Sequence, residues 1–554
     1  METVLRSQSA EPDSANQPPP LAGYDVFASD AALREGVMRE GAGWAYADLL
    51  AVGALAGSEE AIAWGFDANR STPVLRTHDR YGRRIDEVEF HPAYHRLMDV
   101  AVAHGLHAAP WRDPRPGAHV ARAAKFFVWT QVEAGHGCPI SMTYAAVPTL
   151  RIQADVAREW EPLFAASEYD PGLRPAREKR GALCGMALTE RQGGSDVRAN
   201  TMRAVPLERE GPGRTYALTG AKWFCSAPMC DAFLVLAQTA AGLSCFLLPR
   251  VLPDGTRNAL HIVRLKDKLG NRSNASSEIE LDAALAIAIG EPGRGVRTIV
   301  AMVNQTRLDC LIGSAAGMRQ AVAQAVHHAQ HRVAFGKPLA DQPLMRNVLA
   351  DLALESEAAT ALFLRLARAC DRAAVDEREA GLLRIGTAVG KTWVCKRAAA
   401  HVAEALECLG GNGYIEDFIM ARLYREAPLN SIWEGSGNVN ALDVLRAIAK
   451  QPAVVDALLA EIALAAGADR RLDAAARGLE AQLRGDEGEW QARRLVERMA
   501  LALQASLLVR SAPAAVADAF CASRLGGDWG RAFGTLPSGV DAQTIVARAG
   551  PATA

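Results

Sequence analysis

The segment GMALTERQGGSDVRANT, residues 185–201, gathers a hydroxyl at Thr189, a Gly194-Ser195 turn and backbone amides free to meet an anionic or polar ligand. Glycine beside serine and aspartate also makes ordinary turns, so this cluster alone says little. Further on, GAKWFCSAP offers flat apolar faces at Trp223 and Phe224 and a hydroxyl at Ser226. Core aromatics are the simpler account of that stretch taken by itself. A third cluster, Ile432-Trp433-Glu434-Gly435-Ser436, sets a carboxylate beside an indole. A desolvated carboxylate has its pKa raised toward working pH and can act as a general base. The same glutamate, ahead of VNALDVLRAI, would also suit the positive end of a helix. His327 and His331 are four apart in a helical stretch, but no third ligand or HExxH accompanies them, so no metal is expected.

Holding such clusters takes a large folded body. With 554 residues, 49% apolar and 22% charged, the chain has room for about three or four domains. A net charge of −2 excludes a whole-molecule field that would draw it to nucleic acid or an anionic membrane. The ten cysteines are dispersed without a C-x-x-C, as suits reduced thiols in a cytoplasmic protein. METVLRSQSAEPDSANQPPP lacks the basic and apolar regions of a secretory signal, and 1–29 is read as a disordered tail. No apolar run reaches the roughly 20 residues that span a bilayer, so no membrane role is expected.

Helical spacing runs over 30–180. From 181 to 291 it gives way to short β-branched and aromatic runs such as TYALTGAKWFCS, DAFLVLAQT and LSCFLLPR, a β-domain. Long amphipathic helices over 292–450 suit a four-helix bundle, and 451–554 reads as an extra C-terminal helical domain. The expected fold is mainly α with a central β-domain. Its element order argues against a Rossmann fold, in which strand and helix alternate.

In this order along the chain, the clusters resemble acyl-CoA dehydrogenases. TERQGGSD resembles the family's T-E-x-G-x-G-S-D, and GAKWFCS its G-x-K-x-W-I-T. HRVAFGKPLADQPLMRNVLAD resembles R-x-x-F-G-x-P-L, ECLGGNGYIED resembles Q-x-x-G-G-x-G-Y, and LYREAPLNSIWEGSG resembles Y-R-D-x-x-x-x-x-I-Y-E-G-T. The resemblance covers 30–446 and implies the acyl-CoA dehydrogenase fold: an N-terminal helical domain, a β-barrel-like domain and a C-terminal four-helix bundle. It implies FAD as cofactor and an acyl thioester as substrate. Met186, Leu188, Thr189, Gly194, Ser195, Phe224, Cys225, Ser226, Ile432 and Trp433 would then surround the flavin, and Ser436 and Asn438 would meet its phosphates or ring. Glu434 would take the α-proton while a hydride leaves the β-carbon for flavin N5. Arg332 and Phe335 would lie near the adenosine-pyrophosphate half, with Gly411 approaching the FAD of a neighbouring subunit, as in a homotetramer. Met302, Thr306 and Arg307 would face the CoA and acyl part. The chain departs from the family at Gln342-Pro343, Glu407 and Asn304.

Within the fold, GHGCPISMTYAAVPTLR, NSIWEGSGNV, LDVLR and the helices beyond Gln451 resemble the alkylation-response, AidB-type branch. That branch is associated with protecting duplex DNA from alkylation, with DNA binding in the C-terminal region and weak dehydrogenase activity. Here 451–554 carries 11 Arg, no Lys and 12 Asp or Glu, a net of −1, so any DNA site must be a local patch. Arg446 and Arg524 are the candidates, with Arg493, Arg494 and Arg498. A solvated face laced with ion pairs accounts for these arginines about as well. The expectation is a FAD flavoprotein with weak α,β-dehydrogenation of acyl thioesters and binding of double-stranded DNA. The alternatives are an active dehydrogenase of short or branched acyl chains without a DNA role, and a regulatory or structural oligomer with vestigial flavin.

Overall fold

The computed structural model describes residues 16–485 and 488–551, and its helices begin where the sequence supplies caps. Asp30 accepts from the Leu33 amide ahead of Ala31–Arg39, Ser58 from Ala61 ahead of Glu59–Arg70, and Asp376 from Arg378 and Glu379 ahead of Glu377–Glu407. Each oxygen takes up an amide that the first helical turn leaves without a partner. Pro343 opens Pro343–Arg372, where its missing N–H forfeits no helical bond.

Two features of the N-terminal part differ from the sequence reading. Residues 16–29, expected as part of a disordered tail, are folded: Leu21, Tyr24, Val26 and Phe27 are buried, and the Val26 amide donates to Gly53 O at 3.0 Å. Their four large apolar side chains offset the Pro-rich start. Residues 1–15 of the expected tail lie outside the described residues. The helical stretch also holds a hairpin, Val74–His78 paired antiparallel with Arg84–Glu89, whose mostly charged strands give no apolar alternation to read.

The β-domain is a seven-stranded sheet. Thr215–Ser226 pairs antiparallel with Ser276–Ile289, which pairs with Gly242–Pro249, which pairs back onto Ala232–Thr239. Arg203–Pro206 lies between Thr215–Ser226 and Ala232–Thr239, so the sheet closes on itself. The enclosed side chains, Leu218, Phe233, Val235, Phe246 and Ile279, are completely buried.

Beyond it, Gly295–His331, Pro343–Arg372, Glu377–Glu407 and Gly437–Lys450 pack as a bundle. The C-terminal helices share its core. Ala453–Ala463 and Ala492–Ser511 lie on Glu377–Glu407, and Leu458, Leu503 and Phe520 join Leu311, Leu362 and Val389 in one apolar cluster. Glu461 accepts from Arg365 at 2.8 and 3.0 Å and from Arg510 at 2.6 Å, stitching the segment to the bundle. Among the described residues no single helix is long and apolar enough to cross a membrane. His327 and His331 face the backbone carbonyls of Pro19 and His327, each at 2.8 Å.

Candidate active site

The backbone itself joins two of the sequence clusters. Trp223 N donates to Thr189 O at 2.8 Å, tying the turn after Cys184–Ala187 to the strand Thr215–Ser226. Beneath them the buried Lys222 donates to Glu190 at 2.8 Å and to Leu236 O at 2.7 Å, while Glu190 also accepts the Thr201 amide at 2.6 Å. A dry ion pair persists only with such additional bonds. It anchors the turn from below. Both residues lie inside the recognised motifs, but no spacing rule pairs them, and the sequence reading gave them no role.

Alternation along the strand decides which side chains face out. Phe224 is 47% exposed, and Ser226 is half-buried with its Oγ 3.4 Å from Ser276 Oγ. Cys225, expected to contact the cofactor, points the other way, into the barrel core, where burial pushes its thiol up to about 12. That side chain is removed from the site. Gly194 is required where it stands, because a Cβ there would fall 2.5 Å from Thr189 Oγ1. Ser195 is exposed beside it, Met186 and Leu188 are half-buried, and Lys266 Nζ lies 3.3 Å from the Trp223 ring centroid.

Glu434 sits at φ 56°, left-handed backbone that residues other than glycine rarely adopt. Four side chains hold it there. Thr306 Oγ1 donates to Glu434 Oε2 at 2.8 Å, Arg307 Nε to Glu434 O at 3.0 Å, and Lys391 Nζ and Asn440 Nδ2 to Gly435 O at 2.7 and 2.5 Å. Burial raises the Glu434 carboxyl above its ordinary value, against the pull of Thr306, Lys391 and Arg307. Thr306 and Arg307, expected to face CoA and the acyl part, thus position the glutamate. Met302, expected with them, is wholly buried in the core. Burial pushes the Cys138 thiol up to about 12, with Lys268 drawing it down and Glu434 adding to the rise. The sequence reading gave Cys138 no part in the site.

Ile432 is 63% exposed, and Trp433 donates through Nε1 to Asn430 Oδ1 at 2.8 Å. Ser436 caps Gly437–Lys450 without a side-chain bond, which leaves first-turn amides available. Arg493 Nε donates to Asn438 Oδ1 at 2.7 Å, and a Cβ on Gly437 would lie 3.6 Å from Lys396 Nζ and 3.7 Å from Arg493 Nη2. A helix start flanked by two cations suits a phosphate.

Arg332, Phe335 and Gly411 belong elsewhere. Arg332 lies about 39 Å beyond Thr306 on the same helix, at about 1.5 Å per residue. There Asn16 accepts from Arg332 and from the Val333 amide, and Gln17 accepts from Asn412 beside Gly411 at 3.2 Å. Phe335 stands 97% exposed at φ 51°. The DNA candidates part company as well. Arg524 is fully buried against Asp351 and Glu355 and cannot contact a phosphate; the π-helical turn Cys521–Leu525 that carries it faces the bundle. Arg446 is exposed at the rim of a groove that Gln482 and Leu495 also line.

The geometry agrees with comparisons to known proteins. Residues 16–171 match the adaptive response protein AidB N-terminal domain, 185–284 the acyl-CoA dehydrogenase middle domain, and 293–449 the acyl-CoA dehydrogenase C-terminal domain. AidB of Escherichia coli is 48% identical over 91% of this chain and 93% of its own length. Acyl-CoA dehydrogenase family member 11 of Caenorhabditis elegans is 32% identical over 69% of this chain and 63% of its own. The crystal structure of Caenorhabditis elegans ACDH-11 in complex with C11-CoA superposes with a TM-score of 0.84 at 28% identity, over 93% of each chain. With the matched domains in the order that the fold displays, the chain belongs to the acyl-CoA dehydrogenase family, in its AidB-type branch.

Proposed function

We propose that the chain dehydrogenates an acyl thioester of coenzyme A across its α,β-bond, with Glu434 as the base. The observation that carries this reading is Glu434 itself: a carboxylate of raised pKa in left-handed backbone, held directly by Thr306 and Arg307 and, through Gly435 O, by Lys391 and Asn440. The family is one of FAD-dependent oxidoreductases. The residues present fit FAD: Phe224 offers an open aromatic face, Gly194 a turn that leaves no room for a side chain, and Ser436 with Lys396 and Arg493 a cationic helix start. When bound, FAD supplies the hydride acceptor. Thr306 fixes Glu434 Oε2 so that the carboxylate meets the α-proton in one orientation, while Trp433, pinned by Asn430, helps to shield it from water. The relative solved with C11-CoA supports a CoA thioester as substrate. Anaerobic bleaching of the flavin by a panel of acyl-CoAs tests the proposal, and a panel in which none bleaches it would overturn it.

A second copy completes the cofactor site in this reading. Arg332 is too far from Thr306 to serve the same flavin, and exposed Phe335 and Leu344, at 97% and 83%, give a partner an apolar surface. The family resemblance supports a homotetramer, and the ten dispersed free cysteines support a cytoplasmic setting in which they stay reduced. Sedimentation as a monomer would exclude it.

Duplex DNA binding, the other association of this branch, rests on a smaller patch than the sequence suggested. Arg446 and the exposed Arg498, which donates to Gln482 at 2.8 Å, border the same groove. If they meet phosphates, affinity should fall steeply with salt and be lost in Arg446→Glu with Arg498→Glu at unchanged flavin content. Salt-insensitive binding would remove the patch.

A further inference from the structure

The loop between the strands Leu260–Leu265 and Ser276–Ile289 carries two lysines in unlike surroundings. Lys266 Nζ donates to Glu278 at 2.6 Å and is neutralised there. Lys268 Nζ donates to Asn274 O and, at 3.2 Å, to Ser276 Oγ, and no carboxylate pairs with it among the described residues. The loop is tied down at this point. Asn274 Nδ2 donates to Asn271 Oδ1 at 3.0 Å, and Asn271 donates to Glu426, the last residue of Ile419–Glu426, at 2.6 and 2.8 Å. Burial pulls Lys268 down to about 8, with Cys138, Glu426 and Glu133 drawing it up from farther off. An ammonium taken partly out of water and bonded only to neutral oxygens is costly.

Its bonds also run in one direction. Ser276 and Ser226 are cross-strand partners, and their Oγ atoms lie 3.4 Å apart. An ammonium has no lone pair to offer, so Ser276 accepts from Lys268 and turns its single proton to Ser226. Ser226, having accepted, must place its own proton elsewhere. With Phe224 it faces the open side of the strand, where FAD fits. The base stands close by, since the Cys138 thiol feels the charge of both Lys268 and Glu434.

We propose that Lys268 is a positioning residue of the cofactor site: through Ser276 it fixes the Ser226 hydroxyl as a donor to the flavin ring, and so favours the reduced cofactor. The proposal rests on the FAD reading of the site and adds the group that sets the potential there. A hydride brings the ring two electrons and one proton, hence one net negative charge. A hydroxyl donor backed by an ammonium stabilises that charge more than it stabilises the neutral oxidised ring. The coupling is reciprocal. A negative ring strengthens the hold of Lys268 on its proton, so above about pH 8 reduction takes up one further proton.

The test is the midpoint potential of the FAD-loaded protein, measured against redox dyes from neutral to alkaline pH with no acyl-CoA present. The wild-type potential should fall more steeply with pH above about pH 8. Lys268→Met should favour the oxidised cofactor about tenfold at neutral pH, a potential about 30 mV lower for two electrons, and should lose the break in slope. Lys268→Arg keeps a charge that does not titrate in this range, so it should hold the neutral-pH potential and still lose the break. Ser276→Ala keeps the ammonium and cuts the relay, so it should lower the potential part-way and keep the break. A straight wild-type plot, an unchanged potential in Lys268→Met, or a break that survives in Lys268→Arg would overturn the proposal. If Lys268→Met does not fold, the arginine and alanine variants decide, and wild-type plots in both refute it. Protein that takes up no FAD would instead retire the cofactor reading, and the proposal with it.

Discussion

Glu434 carries the chemistry through its surroundings as much as through its carboxylate. A positioned general base contributes about 10²–10⁴ in rate. Glu434→Gln should therefore lose flavin reduction by that factor yet keep FAD, since glutamine Oε1 can still accept from Thr306. Equal stopped-flow rates in the two proteins would exclude the role. The base works ionised, so the rate should climb as pH rises through its raised pKa. Thr306→Val removes a bond that lowers that pKa, so the acid limb of the pH–rate profile should move to higher pH. A limb that stays in place would mean that Thr306 only fills space.

At the scale of elements, the turn at 189–195 depends on the Lys222–Glu190 pair beneath it. Lys222→Met leaves a buried carboxylate without its cation, which costs about 3–5 kcal/mol. Both the thermal midpoint and the flavin content should fall, and unchanged flavin content at a lowered midpoint would dissociate the pair from the site. Glu190 is held below the ordinary carboxylate value, because Lys222 and the Thr201 amide outweigh the opposing effect of burial. Its contribution is thus fully present above the unfolded carboxylate pKa and fades as pH falls through the lower folded value. The sequence shows which residues make the turn, because Thr189, Gly194 and Ser195 are contiguous. It does not show Lys222 reaching Glu190, since that pairing depends on two strands being laid side by side. The facing of Cys225 was hidden for a related reason: one residue's difference in pleat decides core or crevice. The charged hairpin at 74–89 escaped because alternation is legible only when one face is apolar. Glu434 was legible from its motif, whereas the donors that strain its backbone come from three separate helices.

Across the whole molecule, the C-terminal segment is structural before it is anything else. Arg524 is the counter-ion of Asp351 and Glu355, and Leu458, Leu503 and Phe520 complete the bundle's core. Ending the chain after Lys450 should therefore give insoluble protein and not a smaller active enzyme, checked by soluble yield and flavin colour. Arg524→Leu should lower the thermal midpoint by several degrees, consistent with about 3–5 kcal/mol for a broken buried pair. A midpoint within a degree of wild type would show that the network is expendable. The same connection orders events on the ribosome. Asp351 leaves the peptidyl-transferase centre 173 residues ahead of Arg524, a delay of about 9 to 35 s at 5–20 residues per second. For that interval Asp351, bound for the interior, has no cation to meet and Glu355 has only Arg397, so this part of the bundle should close only when the last tenth of the chain is being made. Nascent chains of this protein should accordingly engage chaperones late in synthesis, and chains stalled before Arg524 should be cleared as unfolded.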